Sequence, residues 1–225
     1  MRRLATAVPR SFSRRLFSLA CGSTLIGVAV ALLVEAHLGL APYDVLSAGL
    51  ASRIGVSLGV AGWALAAVLF VVATMLGRAP SAWGMAYVFA NGLAIDAASG
   101  IVTTPDTLVT QLLFVGSAVV IMALGISLVV HSGTTGGPFE LLMLAGEDRG
   151  ISRLASRLSL DVGVLVIGIL LGGPVGFGTL IYAATMGLVL HTVGQAFLDH
   201  RLGRQVRTEP MSEEMWERDL AAAGL

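Results

Sequence analysis

The stretch HLGLAPYDVL at residues 37–46 carries the signals of a helix that starts anew after a non-helical break. Proline suits the first position of a helix, because its missing N–H would be unpaired there. Two residues after Pro42, Asp44 complements the positive end of the helix dipole. A helix over Pro42–Ser52 would be about 17 Å long at 1.5 Å per residue. The segment therefore predicts a half-helix, too short to cross a bilayer.

Apolar segments flank this half-helix and continue along the chain. Of the 225 residues, 56% are hydrophobic and only 12% are charged, about half the charged share of a soluble domain, so lipid must be the solvent for most of the chain. Six segments approach the roughly 20 apolar residues that a membrane-spanning helix needs. They are Leu16–Ala36, Leu58–Leu76, Trp83–Ser99, Leu108–Val130, Leu158–Leu171 and Phe177–Phe197. The fifth is short and contains Asp161, which we expect to pair with Arg157 four residues earlier.

The half-helix sequence recurs in the second half of the chain. GLAPYDVL at 39–46 matches TGGPFELL at 135–142. Further pairs follow in the same order: Gly55-Val56-Ser57 with Gly150-Ile151-Ser152, Leu76-Gly77 with Leu171-Gly172, Tyr87 with Tyr182, Gly92 with Gly187, and Asp96 with His191. Each half contains three spans, an odd number, so the second half enters the membrane from the opposite side. Inverted repeats of this kind are typical of transporters.

The predicted fold is therefore all-α and polytopic, with six transmembrane helices in two inverted three-helix repeats. Each repeat has a short half-helix after its first span. We divide the chain into a basic N-terminus at 1–13, the first repeat at 14–102, the second repeat at 107–197 and a charged tail at 198–225. The tail is polar and is predicted to form a soluble amphipathic helix.

Arginine placement predicts the orientation of these spans. The chain has 14 basic residues, all arginine. With a cytoplasmic N-terminus, only Arg53 falls outside the cell, which satisfies the positive-inside rule. Both termini are therefore expected in the cytoplasm.

Three motifs resemble the YczE/YitT type of bacterial multi-pass membrane proteins, over roughly residues 14–197. They are Leu38-Gly39-x-x-Pro42-x-Asp44-x-Leu46, Gly55-x-Ser57-x-Gly59 and Leu171-Gly172-Gly173-Pro174-Val175-Gly176-x-Gly178-Thr179. Ala41 and Glu140 depart mildly from the family pattern. The resemblance implies a multi-pass protein of the bacterial cytoplasmic membrane and no established activity.

The two proline-led segments are the main candidates for a functional site. The repeat aligns Pro42 with Pro138 and Asp44 with Glu140, so we expect two symmetry-related half-helices that bring both acids toward one polar region. Bare helix N-termini favour anions, but each of these carries its own carboxylate. The site should therefore prefer a neutral or cationic ligand. Two separate surface helices, in opposite membrane interfaces, remain an alternative interpretation.

Two further ionisable residues, Asp96 and His191, are candidates for lining a substrate path. They occupy matching positions of the repeat, and charge within hydrocarbon is costly enough to suggest a function.

No catalytic, metal-binding or cofactor-binding pattern is visible. The sequence has no His-Glu-x-x-His zinc helix, no Gly-x-Ser-x-Gly nucleophile turn and no phosphate-binding loop. Its single cysteine, Cys21, excludes a thiolate metal cluster. The formal net charge is zero, so charge does not favour nucleic-acid binding.

The sequence therefore favours a transporter of a small molecule or ion, embedded in the lipid bilayer, that is not an enzyme and has no cofactor. A membrane scaffold or partner subunit, docking a protein through the C-terminal tail, is the alternative, and an intramembrane enzyme is third. A transporter predicts a hydrated cavity at mid-depth, whereas a scaffold predicts a dry core.

Overall fold

The computed structural model describes residues 12–132 and 137–185, and all regular elements in these ranges are α-helices. The helices are α1 Phe12–Ala36, α2 Pro42–Ile54, α3 Leu58–Met75, α4 Ala82–Ser99, α5 Leu108–His131, α6 Pro138–Glu147, α7 Arg153–Leu170 and α8 at 177–185. His191, the end of the sixth predicted span and the predicted tail helix lie outside the described residues.

Local sequence explains where these helices begin. Ser57, Ser81, Thr107 and Ser152 each precede a helix and accept a hydrogen bond from a backbone N–H of its first turn. Hydroxyl side chains at this position satisfy N–H groups that have no partner within the helix. The short helices α2 and α6 begin instead with proline at the first helical position, as the sequence predicts.

Matching turns end the helices of the two halves. Gly55 and Gly150 have φ angles of 70° and 81°, and Gly77 and Gly172 have φ angles of 90° and 86°. Glycine adopts this left-handed conformation without the steric cost that other residues meet. Equivalent sequence positions of the two halves therefore share the same backbone conformation.

The first helices of the two halves, α1 and α5, form the centre of the larger core. They are antiparallel, because Arg15 near the start of α1 donates to the backbone oxygen of Ser132 at the end of α5 (3.0 Å). A Cβ atom on Gly22 would lie 2.8 Å from the backbone oxygen of Gly125. Glycine at this crossing lets the two backbones approach closely.

The short helices cross between the halves. α2 packs against α7 and α3, and α6 packs against α3 and α7. A Cβ atom on Gly168 of α7 would lie 2.8 Å from the backbone nitrogen of Leu46 in α2. Each short helix is therefore held partly by the other half of the chain.

Large apolar side chains cover the outside of the bundle. Val68, Val71, Leu113, Val120 and Val166 are between 48% and 62% exposed. Among the described helices, α1, α3 and α5 are long and apolar enough to cross a membrane. An outer surface of this kind requires lipid or a partner to cover it.

The seventh helix begins earlier than its predicted span. α7 starts at Arg153 rather than Leu158, because the Ser152 hydroxyl caps it by accepting from the Ala155 N–H. The expected pair is present inside it, with Arg157 Nε 2.9 Å from Asp161 Oδ2. Opposite charges one helical turn apart let the polar first half of α7 remain helical.

Candidate functional site

The first turns of α2 and α6 meet inside the bundle. Tyr43 and Phe139 each follow the proline that starts the helix, and their rings contact edge to face with centroids 5.4 Å apart. Apolar side chains of α3 and α7 pack around this pair: Leu65, Leu69, Leu160 and Val164. The structure thus brings Pro42 and Pro138, the two predicted helix starts, to one region of the bundle.

From this meeting point the short helices run to opposite ends of α3. The C-terminus of α2 connects through residues 55–57 to the start of α3. Arg149, just after α6, donates to the backbone oxygen of Leu76 at the other end of α3 (3.3 Å). The 18 residues of α3 span about 27 Å. The two short helices thus touch inside the bundle, whereas the alternative interpretation of the sequence has two separate surface helices.

Asp44 is the most unusual ionisable group near this meeting point. It is only 7% exposed, and it has no hydrogen bond or ion pair with any residue that the structure describes. The neighbouring Tyr43 is different, since its hydroxyl donates to the backbone oxygen of Gly62 (2.9 Å). Buried carboxylates normally have partners. Asp44 therefore marks a place where the described residues leave a buried carboxyl group without a partner.

A second buried polar group lies one helical turn from Asp44. Ser47 is 2% exposed, and its Oγ has no hydrogen-bond partner. Residues three apart lie on the same face of a helix. One face of α2 thus presents two unsatisfied polar side chains to the interior.

Two tyrosines from other helices pack in the core cluster that includes the start of α2. Tyr182 in α8 belongs to the same cluster of buried residues as Ala41 and Val45, and Tyr87 in α4 packs against this cluster. Tyr87 and Tyr182 occupy matching positions of the repeat, so both halves contribute an aromatic side chain to the same region.

Glu140 reaches the same region from the other half, but in a different environment. It is exposed, whereas Asp44 is buried. The Glu140 carboxylate and the Tyr87 ring both lie against Gly137, just before α6. The two acids are therefore unequal in burial, although the repeat aligns them.

Asp96 lies elsewhere and caps a helix. Its carboxylate accepts hydrogen bonds from the Ser57 hydroxyl (2.6 Å) and the Gly59 N–H (2.8 Å) at the start of α3. It is nine residues beyond Tyr87 on α4, which corresponds to about 13 Å along the helix. The structure therefore does not bring Asp96 to the Asp44 region, and its predicted counterpart His191 is not among the described residues.

The non-helical segment before α2 is hydrogen-bonded by the loop between α7 and α8. The Gly178 N–H donates to the backbone oxygen of Leu38 (2.6 Å), and the Leu40 N–H donates to that of Pro174 (3.4 Å). Irregular backbone is tolerated within a membrane only where protein or water satisfies it. The glycines that the sequence places in both segments allow this close approach.

An open groove of about 400 Å³ lies beside the C-terminal part of α2. Ala48, Ala51 and Ser52 line it, and they follow Asp44 at spacings of four, seven and eight residues. Such spacing defines one helix face. The groove therefore runs along the stripe of α2 that carries Asp44.

Arginines hold both ends of the bundle. Arg53 in the last turn of α2 donates to the backbone oxygen of Leu171 (3.1 Å), as Arg149 just after α6 does to that of Leu76. These contacts are equivalent in the repeat, because Arg53 aligns with Arg149 and Leu171 with Leu76. The shared repeat position of Arg53 and Arg149 is a sequence signal for this shared contact, in addition to the orientation that the arginines predict.

The α6 end carries an additional ion pair. Arg78 forms two hydrogen bonds to the Asp148 carboxylate, at 2.7 and 2.5 Å. The Arg78 guanidinium holds the pKa of Asp148 below its ordinary value through these bonds and its charge. The aligned residues at the α2 end are Ser52 and Gly173, which cannot form such a pair. The α6 end of the bundle therefore has an ion pair that the α2 end lacks.

Comparisons with known proteins identify the family. Residues 13–195 match DUF6198, a family of unknown function. The chain belongs to DUF6198. Among the described residues of this DUF6198 chain, no three His, Cys, Asp or Glu side chains are grouped as a metal site requires.

Bacterial relatives cover most of the DUF6198 chain. It is 26% identical over 191 residues to the uncharacterized protein YyaS of Bacillus subtilis, covering 83% of the chain and 95% of YyaS. It is 27% identical over 188 residues to an uncharacterized protein of Haemophilus influenzae, covering 83% and 84%. It is also 26% identical over 172 residues to the uncharacterized membrane protein YczE of Bacillus subtilis, covering 75% and 80%. No solved structure matches. The predicted resemblance to YczE-type proteins is confirmed, and the DUF6198 chain is a membrane protein.

Proposed function

We propose that this membrane protein is a transporter, not an enzyme, which moves a small molecule or ion along a path between two inverted repeats. The observation that carries the proposal is Asp44, a buried carboxylate without a partner among the described residues, beside the contact between the two half-helices. Transporters with inverted repeats bind substrate between the repeats, near the ends of discontinuous helices.

The packing of the helices supports the inverted repeat. α2 contacts α7 and α6 contacts α3, while α2 contacts α3 and α6 contacts α7. These are the paired contacts that a two-fold axis in the membrane plane would generate, with α1 and α5 packed on each other across it. The matched glycine turns and the matched arginine contacts agree with the same symmetry.

Contacts at the two ends of the bundle support a bacterial plasma-membrane protein with six spans and cytoplasmic termini. Arg78 contacts Asp148, two positions that the arginine distribution assigns to the cytoplasm. The Thr104 hydroxyl donates to Glu35 (2.5 Å), two positions assigned to the outside. Reporter fusions test the orientation: one after Gly203 should report the cytoplasm and one after Thr104 the outside. The same side for both would exclude six spans.

The unequal ends of the bundle support an outward-facing arrangement. The groove along α2 lies toward the end assigned to the outside and follows the helix face of Asp44. The cytoplasmic end is closed by the Arg78–Asp148 pair and by Arg149 on Leu76. Alternating access would require these contacts to open while the groove closes.

Cysteine accessibility tests whether water reaches the site. Replacing Cys21, the single cysteine, by serine gives a background without thiols. Ser47→Cys in that background is nearly isosteric, and we expect a charged, water-soluble thiol reagent to label it in intact cells through the groove. Ser23→Cys is the matched control, because Ser23 is equally buried but lies in α1, whereas Ser47 lies in α2 next to the groove-lining Ala48. It should stay unlabelled.

The same experiment separates the transporter from a membrane scaffold. A scaffold has a dry core, so neither cysteine would react with the charged reagent although both would react after denaturation. That result would exclude a water-accessible path to α2 and would favour a partner subunit, for which the C-terminal tail is the first segment to test for protein binding.

A further inference from the structure

We propose that Asp44 is a proton-binding site, protonated in this arrangement of the bundle, and that H⁺ is the coupling ion of the transporter. This inference rests on the proposed transport function and names the ion that drives it. The carboxylate takes up H⁺ from water on one side of the membrane and releases it to water on the other. Each transport cycle therefore returns the group to its starting form.

The surroundings of Asp44 favour the neutral form of its carboxyl group. Asp44 is only 7% exposed, and its neighbours in the chain include the buried apolar residues Ala41, Val45 and Leu46. It has no hydrogen bond or ion pair with any residue that the structure describes. A carboxyl group in such an environment is stable only when it is protonated or paired with a cation.

The positive charges closest to Asp44 in the fold have other partners. The helices α3 and α7 pack against α2, and α3 contains no ionisable residue. On α7, Arg157 Nε lies 2.9 Å from Asp161 Oδ2. Arg53 is nine residues beyond Asp44 on α2, about 13 Å away, and donates to the backbone oxygen of Leu171. No described arginine therefore neutralises Asp44.

The other ionisable groups of the region are acids or phenols. The short helix α6, which touches α2 through Phe139, carries Glu140 in its first turn and Glu147 at its end. Glu35 at the end of α1 accepts a hydrogen bond from the Thr104 hydroxyl. Phenols are uncharged at neutral pH, and this applies to the tyrosines of α2, α4 and α8: Tyr43, Tyr87 and Tyr182. These groups cannot supply the positive charge either.

A proton can bind Asp44 without a cavity, whereas a larger cation needs one. The groove of about 400 Å³ beside α2 is lined by residues that do not include Asp44. Metal ions require several oxygen ligands, about six for Mg²⁺. Among the described residues, no three His, Cys, Asp or Glu side chains form such a group. The proton is therefore the cation that fits this carboxyl group.

Ser47 follows Asp44 toward the groove along α2. It is 2% exposed, its Oγ has no hydrogen-bond partner, and it lies on the same helix face as Asp44, three residues earlier. The next residue, Ala48, lines the groove. A hydroxyl donates one hydrogen bond while it accepts another, so the Ser47 Oγ is suited to pass a proton between the groove and Asp44. In this arrangement, Asp44 therefore exchanges its proton with the side to which the groove opens.

Infrared spectroscopy of the full-length protein in lipid bilayers at neutral pH tests the proposal. The carbonyl band of a protonated carboxyl group is separate from the bands of a carboxylate. We expect this band in the wild type and its loss in Asp44→Asn, which puts an uncharged group of similar shape in place of the acid. Asp106→Asn, which changes an exposed loop acid, should keep the band. In D₂O the wild-type band should shift, because a coupling site must exchange its proton with water.

Labelling of Ser47→Cys at several pH values tests the coupling. The rate is compared with that of the same cysteine in the Asp44→Asn background, where the reactivity of the thiol changes with pH in the same way. We expect the ratio of the two rates to change as the pH rises, because an ionised Asp44 must recruit water or leave its buried position.

Three results would overturn the proposal: a band that is retained in Asp44→Asn, a wild-type band that does not shift in D₂O, or a ratio of labelling rates that is constant with pH. If Asp44→Asn does not fold, wild-type protein grown with aspartate that carries ¹³C in its side-chain carboxyl group replaces it. The band must then move to lower frequency, and an unmoved band would show that the protonated group is not an aspartate.

The outcomes separate this inference from the transport proposal. Labelling of Ser47→Cys together with an ionised Asp44 would remove the proton site and leave transport standing. An unlabelled Ser47→Cys would remove the transport proposal itself, and the coupling role of Asp44 with it.

Discussion

Replacing Asp96 by alanine is expected to destabilise the start of α3 and to leave the Asp44 region intact. The Asp96 carboxylate accepts the Gly59 N–H at 2.8 Å and the Ser57 hydroxyl at 2.6 Å. Gly59 is buried, so its N–H cannot turn to solvent, whereas Ser57 is exposed and can. The loss therefore falls mainly on one buried backbone donor and on the helix dipole.

The size of the effect follows from these two contributions. A buried N–H left without a partner costs about 1–3 kcal/mol. Loss of a carboxylate from a helix N-terminus costs about 0.3–1 kcal/mol more. The sum, about 1.5–4 kcal/mol, corresponds to a fall in melting temperature of roughly 3–15 °C for a chain of this length. Asp96→Asn keeps one acceptor oxygen and should lose only about 1 kcal/mol.

Thermal melting of the detergent-solubilised protein, followed by size-exclusion chromatography, measures the effect. Asp106→Ala is the control, since it removes an exposed acid in the loop between α4 and α5. Ser57→Ala, alone and combined with Asp96→Ala, tests the shared contact, because residues joined by a hydrogen bond do not have additive effects. Ser47→Cys should be labelled equally in the wild-type and Asp96→Ala backgrounds.

A different outcome would support a role of Asp96 in the substrate path. If Asp96→Ala melts within the error of the wild type while the labelling of Ser47→Cys is lost, then the carboxylate controls access and does not act as a cap.

Three further changes are informative. Gly168→Ala should destabilise the bundle, because the added methyl group meets the backbone of α2. Gly163→Ala on the same helix faces open space and should stabilise α7 by about 0.5–1 kcal/mol. Equal melting temperatures of the two variants would contradict the packing of α7 on α2. Arg78 lowers the pKa of Asp148, so the ion pair stabilises the fold at pH values above the ordinary pKa of aspartate, and this stabilisation is lost on acidification. The melting temperature of Asp148→Asn should therefore lack the acid-dependent fall that the pair causes in the wild type. Identical profiles of melting temperature against pH would show that the pair has no effect. His37→Gly should raise stability by up to about 1 kcal/mol, because His37 has a φ of 52° and this left-handed conformation is unfavourable for residues with a Cβ atom. A lower melting temperature would indicate that the imidazole makes a stabilising contact.

The starts of the short helices could be predicted from sequence because their signals are local. Proline at the first helical position and an acid two residues later predict Pro42 and Pro138 as helix starts, and both α2 and α6 begin there. The Ser152 N-cap of α7 is an equally local signal, but the nearby Arg157 and Asp161 lower the hydropathy, so the predicted span begins five residues inside the helix.

Burial and partners could not be predicted, because they depend on contacts between distant segments. Asp44 and Glu140 look equivalent in the repeat, yet only Asp44 is buried. Intramembrane position suggests a path residue at Asp96, whereas its contact is with the start of α3, 37 residues away in sequence. Tyr87 and Tyr182 are visible in the sequence as a repeat pair, but only the packing of α4 and α8 brings them to the core cluster that contains Ala41 and Val45.

The crossed packing of the short helices sets the order of events during synthesis. α2 lies mainly against α7, which begins at Arg153, so α2 leaves the ribosome roughly 100 residues before its partner exists. At 5–20 residues per second this delay is about 5–20 s. During that time α2, which carries Asp44, has not yet met the helix against which it finally packs. The nascent first half cannot complete its own fold, and a chain interrupted before α7 leaves Asp44 without the neighbours that bury it.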